Sequence, residues 1–243
     1  MTEYTRRGVL AGIGAGIALT AGTTVAGADD HERENVARVV HLSPDAPALD
    51  VYVDGELWFE GVEPLTLQKG ATPTEPGTYD VAAVPTGEGL GNALLETEAE
   101  IEPGPSTLAA IGEVCSLSGN GFDLVALKGE FGPTQADHAR VRVVHASPDT
   151  PTVDVETESG ETIAEGLSFG ESRIKEIPAG ETIVAVRSTD GKTLARFEIA
   201  PEAGHVYSAF GVGYQDPEAA PEAAPDDLGF SLAISEDAAP GEQ

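Results

Sequence analysis

One fourteen-residue pattern occurs twice in this chain, and it limits the possible folds more than any other feature. Arg38-Val39-Val40-His41-Leu42-Ser43-Pro44-Asp45-Ala46-Pro47-Ala48-Leu49-Asp50-Val51 aligns without gaps to Arg142-Val143-Val144-His145-Ala146-Ser147-Pro148-Asp149-Thr150-Pro151-Thr152-Val153-Asp154-Val155, offset by 104 residues and identical at ten of fourteen positions. Looser similarity follows. Pro76-Gly77-Thr78-Tyr79-Asp80 matches Ala179-Gly180-Glu181-Thr182-Ile183, and Leu108-Ala109-Ala110-Ile111-Gly112 matches Tyr207-Ser208-Ala209-Phe210-Gly211. A duplicated unit of this length predicts two homologous domains, residues 36–131 and 139–235, joined by a turn-prone linker over 132–138.

Within each repeat, short apolar runs alternate with Gly-, Pro- and Asp-rich turns, the spacing of an all-β sandwich or barrel. Strands are predicted near 36–42, 48–53, 56–59, 78–84, 93–101, 106–112 and 123–128. Their counterparts fall near 140–146, 152–156, 161–164, 172–177, 181–187, 193–199, 205–212 and 229–235. Asp190-Gly191 reads as a type I′ hairpin turn. The acidic stretch 215–227 reads as a solvated loop before a closing strand, leaving 236–243 as a loose terminus.

The N-terminus carries Arg6-Arg7, then a Gly/Ala-rich apolar run from Ala11 to Val25, then Ala26-Gly27-Ala28. This is the layout of a twin-arginine export signal over residues 1–28, with cleavage after Ala28. The run is shorter and richer in glycine than the roughly 20 strongly apolar residues of a membrane span. Membrane contact is therefore expected only through this segment before cleavage.

Charge narrows the partners. Thirteen Lys+Arg against 42 Asp+Glu give a net charge of −29, so a phosphate backbone or an anionic bilayer finds too few basic groups to displace its counterions. At molar salt the Debye length falls to about 3 Å and the self-repulsion of such a surface is screened. Low Lys, high acid and the leader together resemble a secreted protein of an extremely halophilic archaeon. The single cysteine, Cys115, excludes an intrachain disulfide, and no basic neighbour in sequence activates it.

The duplicated V-R-V-V-H-x-S-P-D-x-P-x-V-D-V pattern resembles the signature of domain-of-unknown-function family 4397, exported proteins often built of tandem copies. The resemblance implies two tandem immunoglobulin- or transthyretin-like β-sandwiches and no established activity. The second copy departs from the pattern, with Val155-Glu156-Thr157 where Val51-Tyr52-Val53 stands in the first.

The candidate site residues are those of the motif: His41, Ser43, Asp45 and Asp50, and His145, Ser147, Asp149 and Asp154. Strand parity puts Val39 and His41 on one face and Arg38, Val40 and Leu42 on the other, with Asp50 and Tyr52 opposed to Leu49, Val51 and Val53. One reading makes His41, Ser43 and Asp45 or Asp50 a hydrolytic triad. Against it, neither serine sits in a glycine-rich nucleophile elbow. The following proline also lacks the N–H that an oxyanion site uses. The preferred reading is a fold corner in which Ser and Asp cap local backbone N–H groups.

Acidic runs at Asp29-Asp30-His31-Glu32 and Glu96-Thr97-Glu98-Ala99-Glu100 lack EF-hand spacing, and no His/Cys pair has zinc-site spacing. No catalytic residue, metal or cofactor is therefore expected. The expectation is an exported, salt-adapted, non-enzymatic protein that binds an unidentified cell-surface or extracellular ligand. A secreted hydrolase or metal-binding protein using the His-x-Ser-Pro-Asp motif is the alternative.

Overall fold

The computed structural model describes residues 17–18, 20–21, 37–69, 75–102, 104–129, 132, 134–225 and 228–238. Arg6, Arg7, Ala26, Ala28 and the run Asp29–Glu32 lie outside the described residues. Among the described residues the regular structure is β, apart from 3-10 turns at Leu90–Asn92 and Pro217–Ala219. Among these described residues no helix is long and apolar enough to cross a membrane.

Two short strands precede the first repeat, β1 (Ile17–Ala18) and β2 (Thr20–Ala21). The first repeat supplies β3 (Ala37–His41), β4 (Leu49–Val53), β5 (Glu56–Val62), β6 (Thr66–Lys69), β7 (Gly77–Pro85), β8 (Leu95–Ile101), β9 (Ser106–Ile111) and β10 (Asp123–Lys128). The second supplies β11 (His138–His145), β12 (Val153–Thr157), β13 (Thr162–Leu167), β14 (Ser172–Pro178), β15 (Thr182–Ser188), β16 (Thr193–Ile199), β17 (Val206–Val212) and β18 (Ser231–Ala238).

The sheets repeat as the sequence does. The first half pairs a sheet ordered β10-β9-β3-β6 with one ordered β5-β4-β7-β8; the second pairs β18-β17-β11-β14 with β13-β12-β15-β16. In both halves the strand bearing the histidine runs parallel to the penultimate strand of the repeat, β3 with β9 and β11 with β17. The two tandem β-sandwiches expected from the repeat are present.

Alternation explains each core. Val39, Leu49, Val51, Val53, Val81, Ala83 and Leu108 fill the first sandwich, and Val141, Val143, Val153, Val155, Val184, Val186 and Ala209 the second. Side chains of period two from both sheets meet there and leave the polar residues outside.

Three local details differ from expectation. The sequence reading places no strand at 66–69, because this four-residue run buries a single side chain, Leu67. The type I′ turn forms at Asp54-Gly55, with φ of 49° and 78°, joining Val53 and Glu56. At Asp190-Gly191 only the glycine has a positive φ, 86°, so that hairpin closes by a longer loop in which Ser188 N donates to Lys192 O. Finally, β18 runs to Ala238, so residues 236–238 are not a loose terminus; Asp237 has a buried partner.

That partner is in the other domain. The faces of β3 and β11 turned away from the sandwich interiors also carry apolar side chains. Val40, Leu42, Ala109, Ile111 and Leu127 pack against Val144, Ala146, Phe210, Val212 and Ala233 in a third core between the two halves. Burying each Leu, Ile or Phe there contributes about 1.5–3 kcal/mol. Arg38 of β3 pairs with Asp237 of β18 at 3.1 Å, and Arg142 of β11 donates to the Lys128 carbonyl at the end of β10. The equivalent arginines thus each reach the closing strand of the opposite repeat, as in an isologous two-fold interface.

Candidate functional site

The motif residues stand where the first and third cores end. His41 is the last residue of β3, and its Nε2 donates to Pro47 O at 2.9 Å; His145 closes β11 and donates to Pro151 O at 3.1 Å. In both rings Nδ1 is buried without a hydrogen-bond partner. Burial depresses the basicity of both imidazoles, more than the proline carbonyls raise it. Each histidine is therefore a neutral ring pinning the Ser-Pro-Asp-x-Pro corner back onto its strand.

The serines and aspartates act over distance. Ser43 Oγ donates to Gly112 O at 2.6 Å, and Ser147 Oγ to Gly213 O at 2.6 Å. The Asp45 carboxylate accepts from Val114 N at 2.8 Å and Cys115 N at 2.9 Å. Asp149 accepts from Gln215 N at 2.7 Å and Asp216 N at 2.8 Å. The expectation of local capping is thus corrected: the partners lie 66 to 70 residues away in sequence. A charged acceptor holding two N–H groups is worth more than a neutral bond, and it freezes the start of the loop after β9 or β17.

Asp50 and Asp154 serve a second corner. Asp50 accepts from Gly61 N at 2.8 Å and Gly87 N at 3.1 Å, and Asp154 accepts from Gly166 N at 2.8 Å. All eight motif residues thus bond backbone groups, by closely similar contacts in the two halves, with Asp50 accepting from one amide more than Asp154 and Ser147 also bonded to Thr150. His41, Ser43 and Asp45 do not converge on a nucleophile: Ser43 faces Gly112, while His41 faces Pro47.

The cross-strand register corrects the repeat alignment in this region. His41 lies opposite Ala110 and His145 opposite Gly211, so Gly112 corresponds to Gly213 and not to Gly211. Glycine is required at both. Each has a left-handed φ, 79° and 78°, and a Cβ there would stand 2.1 Å from Gly121 O or 2.6 Å from Gly229 O.

Glu113 and Tyr214 are therefore equivalent positions, each bridged to its own loop and each buried, 1% and 2% exposed. Glu113 Oε2 accepts from Ser118 N at 2.8 Å and Ser118 Oγ at 2.7 Å. Burial, and then the carboxylates of Glu113, Asp45 and Asp149, push the Tyr214 phenol far above its ordinary range, so it remains a neutral hydroxyl. Asn120 Nδ2 donates to Pro148 O at 2.6 Å, tying the first loop to the second motif. Sequence reasoning missed Glu113, Ser118, Asn120 and Tyr214. A repeat alignment shifted by two would have shown Gly112-Glu113 against Gly213-Tyr214.

Loops 113–121 and 214–225 are thus both tied to the second motif, the first through Asn120 and the second through Asp149. The first exposes Val114, Leu117 and the free Cys115; desolvation and the nearby Asp45 and Glu113 carboxylates raise the thiol's pKa. The second is acidic. On the outer face of β4, Tyr52 borders a cleft of about 590 Å³ with Leu90, Asp80, Glu96 and Glu98. Its counterpart Glu156 instead pairs with Arg187 at 3.2 Å. Among the described residues, no group of three or more His, Cys, Asp or Glu side chains is disposed to hold a metal ion.

No protein of curated function matches the chain. Among solved structures, a candidate cell adhesion protein from Parabacteroides distasonis aligns over 95% of this chain and 98% of its own, with 12% identity and a TM-score of 0.23; at that score the likeness carries no argument about function. The family model for a domain of unknown function, DUF4397, matches residues 36–156 and 139–230. These segments span both copies of the motif and both sandwiches, and the chain belongs to that family.

Proposed function

We propose that this is an exported, non-enzymatic protein of the cell surface or extracellular medium, adapted to high salt, whose role is binding or interaction with the envelope. The carrying observation is how the duplicated motif is spent. In both halves its serine and aspartate bond the backbone of the following loop and its histidine bonds a proline carbonyl. Side chains committed to loop geometry support a role in positioning a recognition surface. The twin-arginine leader supports export, and the net charge of −29 supports a high-salt setting.

The test is thermal unfolding of the exported chain in molar KCl against divalent ions, cell-surface polysaccharides and small metabolites. A ligand at 100 times its dissociation constant stabilises by about 2.7 kcal/mol. A raised midpoint with one class identifies the partner. Turnover of an ester, glycoside or peptide substrate that His41→Ala abolishes in a still-folded protein refutes the proposal.

A further inference from the structure

One short stretch of the leader touches both sandwiches. Ile17 and Ala18 run parallel to β18, opposite Ala233 and Ile234, and Thr20 and Ala21 run parallel to β6, opposite Thr66 and Leu67. A single position separates the two pairings. The stretch therefore lies between the closing strand of the second repeat and an edge strand of the first, and extends both sheets at once.

Without it, β18 and β6 are edges, and an edge strand is a row of unsatisfied backbone donors and acceptors. The corner between them also has an apolar floor. Leu67 and Ala233, on the two edge strands, both belong to the core that joins the halves. The related corner, between β10 and β14, lies beside the linker: Gly132 O accepts from Arg140 at 2.9 Å and Gln135 N donates to Glu176 at 3.2 Å. One corner thus has a permanent chain segment alongside it. The other is filled by residues that the sequence marks for removal.

We infer that the corner between β6 and β18 is a strand-acceptor groove, which Ile17–Ala18 and Thr20–Ala21 occupy in the precursor. After cleavage it takes an extended, uncharged segment of a partner protein, added in parallel to both edges. The chemistry of that segment follows from the groove and its present occupant. Leu232–Ser235 and Thr66–Gln68 carry no charge, the occupant is Ile17-Ala18-Leu19-Thr20-Ala21, and a chain of net charge −29 disfavours an acidic segment. The inference uses the export reading only to say what clears the groove; the pairing itself is independent of it.

The experiment is hydrogen exchange by mass spectrometry on the full chain, kept uncleaved by Arg6→Lys with Arg7→Lys, and on residues 29–243 as exported. Amides of 231–235 and 66–68 are expected to exchange about tenfold faster in the exported form, with other strands unchanged. An excess of the synthetic peptide Ala15–Thr23 restores slow exchange at both edges together, and the same peptide carrying Ala18→Pro does not. Equal exchange at the two edges in both proteins overturns the inference, as does a peptide that protects neither edge. Edges protected in 29–243 by self-association, seen as a concentration-dependent dimer, assign the groove to a second copy and overturn the heterologous partner. None of these failures affects the export reading, which a secretion assay of the twin-lysine variant tests separately.

Discussion

The ion pair between Arg38 and Asp237 joins the two sandwiches with both side chains only 4% exposed, and removing it one charge at a time gives a sharp prediction. Asp237 also accepts from Ser208 Oγ at 2.6 Å. Asp237→Ala takes the carboxylate from a guanidinium that stays buried, and breaking a buried pair from one side costs about 3–5 kcal/mol. Arg38→Met strands the aspartate in the same way, and a loss of similar size is expected. The double variant Arg38→Met/Asp237→Leu removes both charges, keeps comparable volume, and is expected to lie within about 1 kcal/mol of the parent, because desolvation offsets most of the Coulomb gain of a buried pair.

The assay is guanidinium-free urea denaturation in about 1 M KCl, where the Debye length of about 3 Å abolishes ordinary surface pairs. The readout is the coupling energy of the double-mutant cycle. The pair is shielded by protein, so the coupling should persist in salt. Single variants that each cost under about 1 kcal/mol and add without coupling would mean a solvated pair, and the packing of the two halves described here would be wrong.

Further predictions use the loop cluster and the cores. Burial holds both His41 and His145 below 6.5, so the unfolded chain binds protons that the folded one refuses. The stability from the neutral rings is complete above pH 6.5 and declines as pH falls below it, by up to about 1.4 kcal/mol per pH unit for each ring. Urea midpoints compared between about pH 7 and pH 5.5 should slope less in His41→Asn/His145→Asn, and an unchanged slope refutes the assignment. Gly112→Ala combines a left-handed φ with a Cβ 2.1 Å from Gly121 O, and should cost about 3 kcal/mol; a Tm equal to the parent's contradicts it. In the second sandwich a void of about 50 Å³ lies among Val184, Val186, Phe197 and Ala209. At about 24 cal/mol per Å³, filling it recovers at most about 1.2 kcal/mol for the volume measured. Val184→Ile should therefore raise Tm slightly, and a fall of several degrees would show the void to be unable to take a methylene.

The fold was legible where local pattern and burial agree. Period-two alternation in Val39/His41 and Leu49/Val51/Val53 named the faces correctly, whereas the type I′ turn read at Asp190-Gly191 does not form there, because only the glycine takes a positive φ. The pattern failed at β6, where Thr66–Lys69 is too short to alternate, and at residues 236–238, where acidic side chains read as solvated. Asp237 is buried because Arg38 comes to it from another domain, and local sequence does not encode that partner. The candidate site was legible as a duplicated set of residues. Its chemistry was not: Ser43 and Asp45 read as local caps until the loop at Gly112–Cys115 was seen to fold beside them.

From the sequence alone follow the duplication, the all-β class and the excess of acid, since each is a matter of composition, period or spacing along the chain. Tertiary structure decided that the outer faces of β3 and β11 are a third core, that Glu113 and Tyr214 are neighbours, and that Ile17–Ala18 and Thr20–Ala21 pair with two different sheet edges. These depend on which surfaces of two separately folded sandwiches touch. Neighbours about 100 or more positions apart in the chain (38 with 237, 113 with 214) leave no mark on local composition, period or spacing.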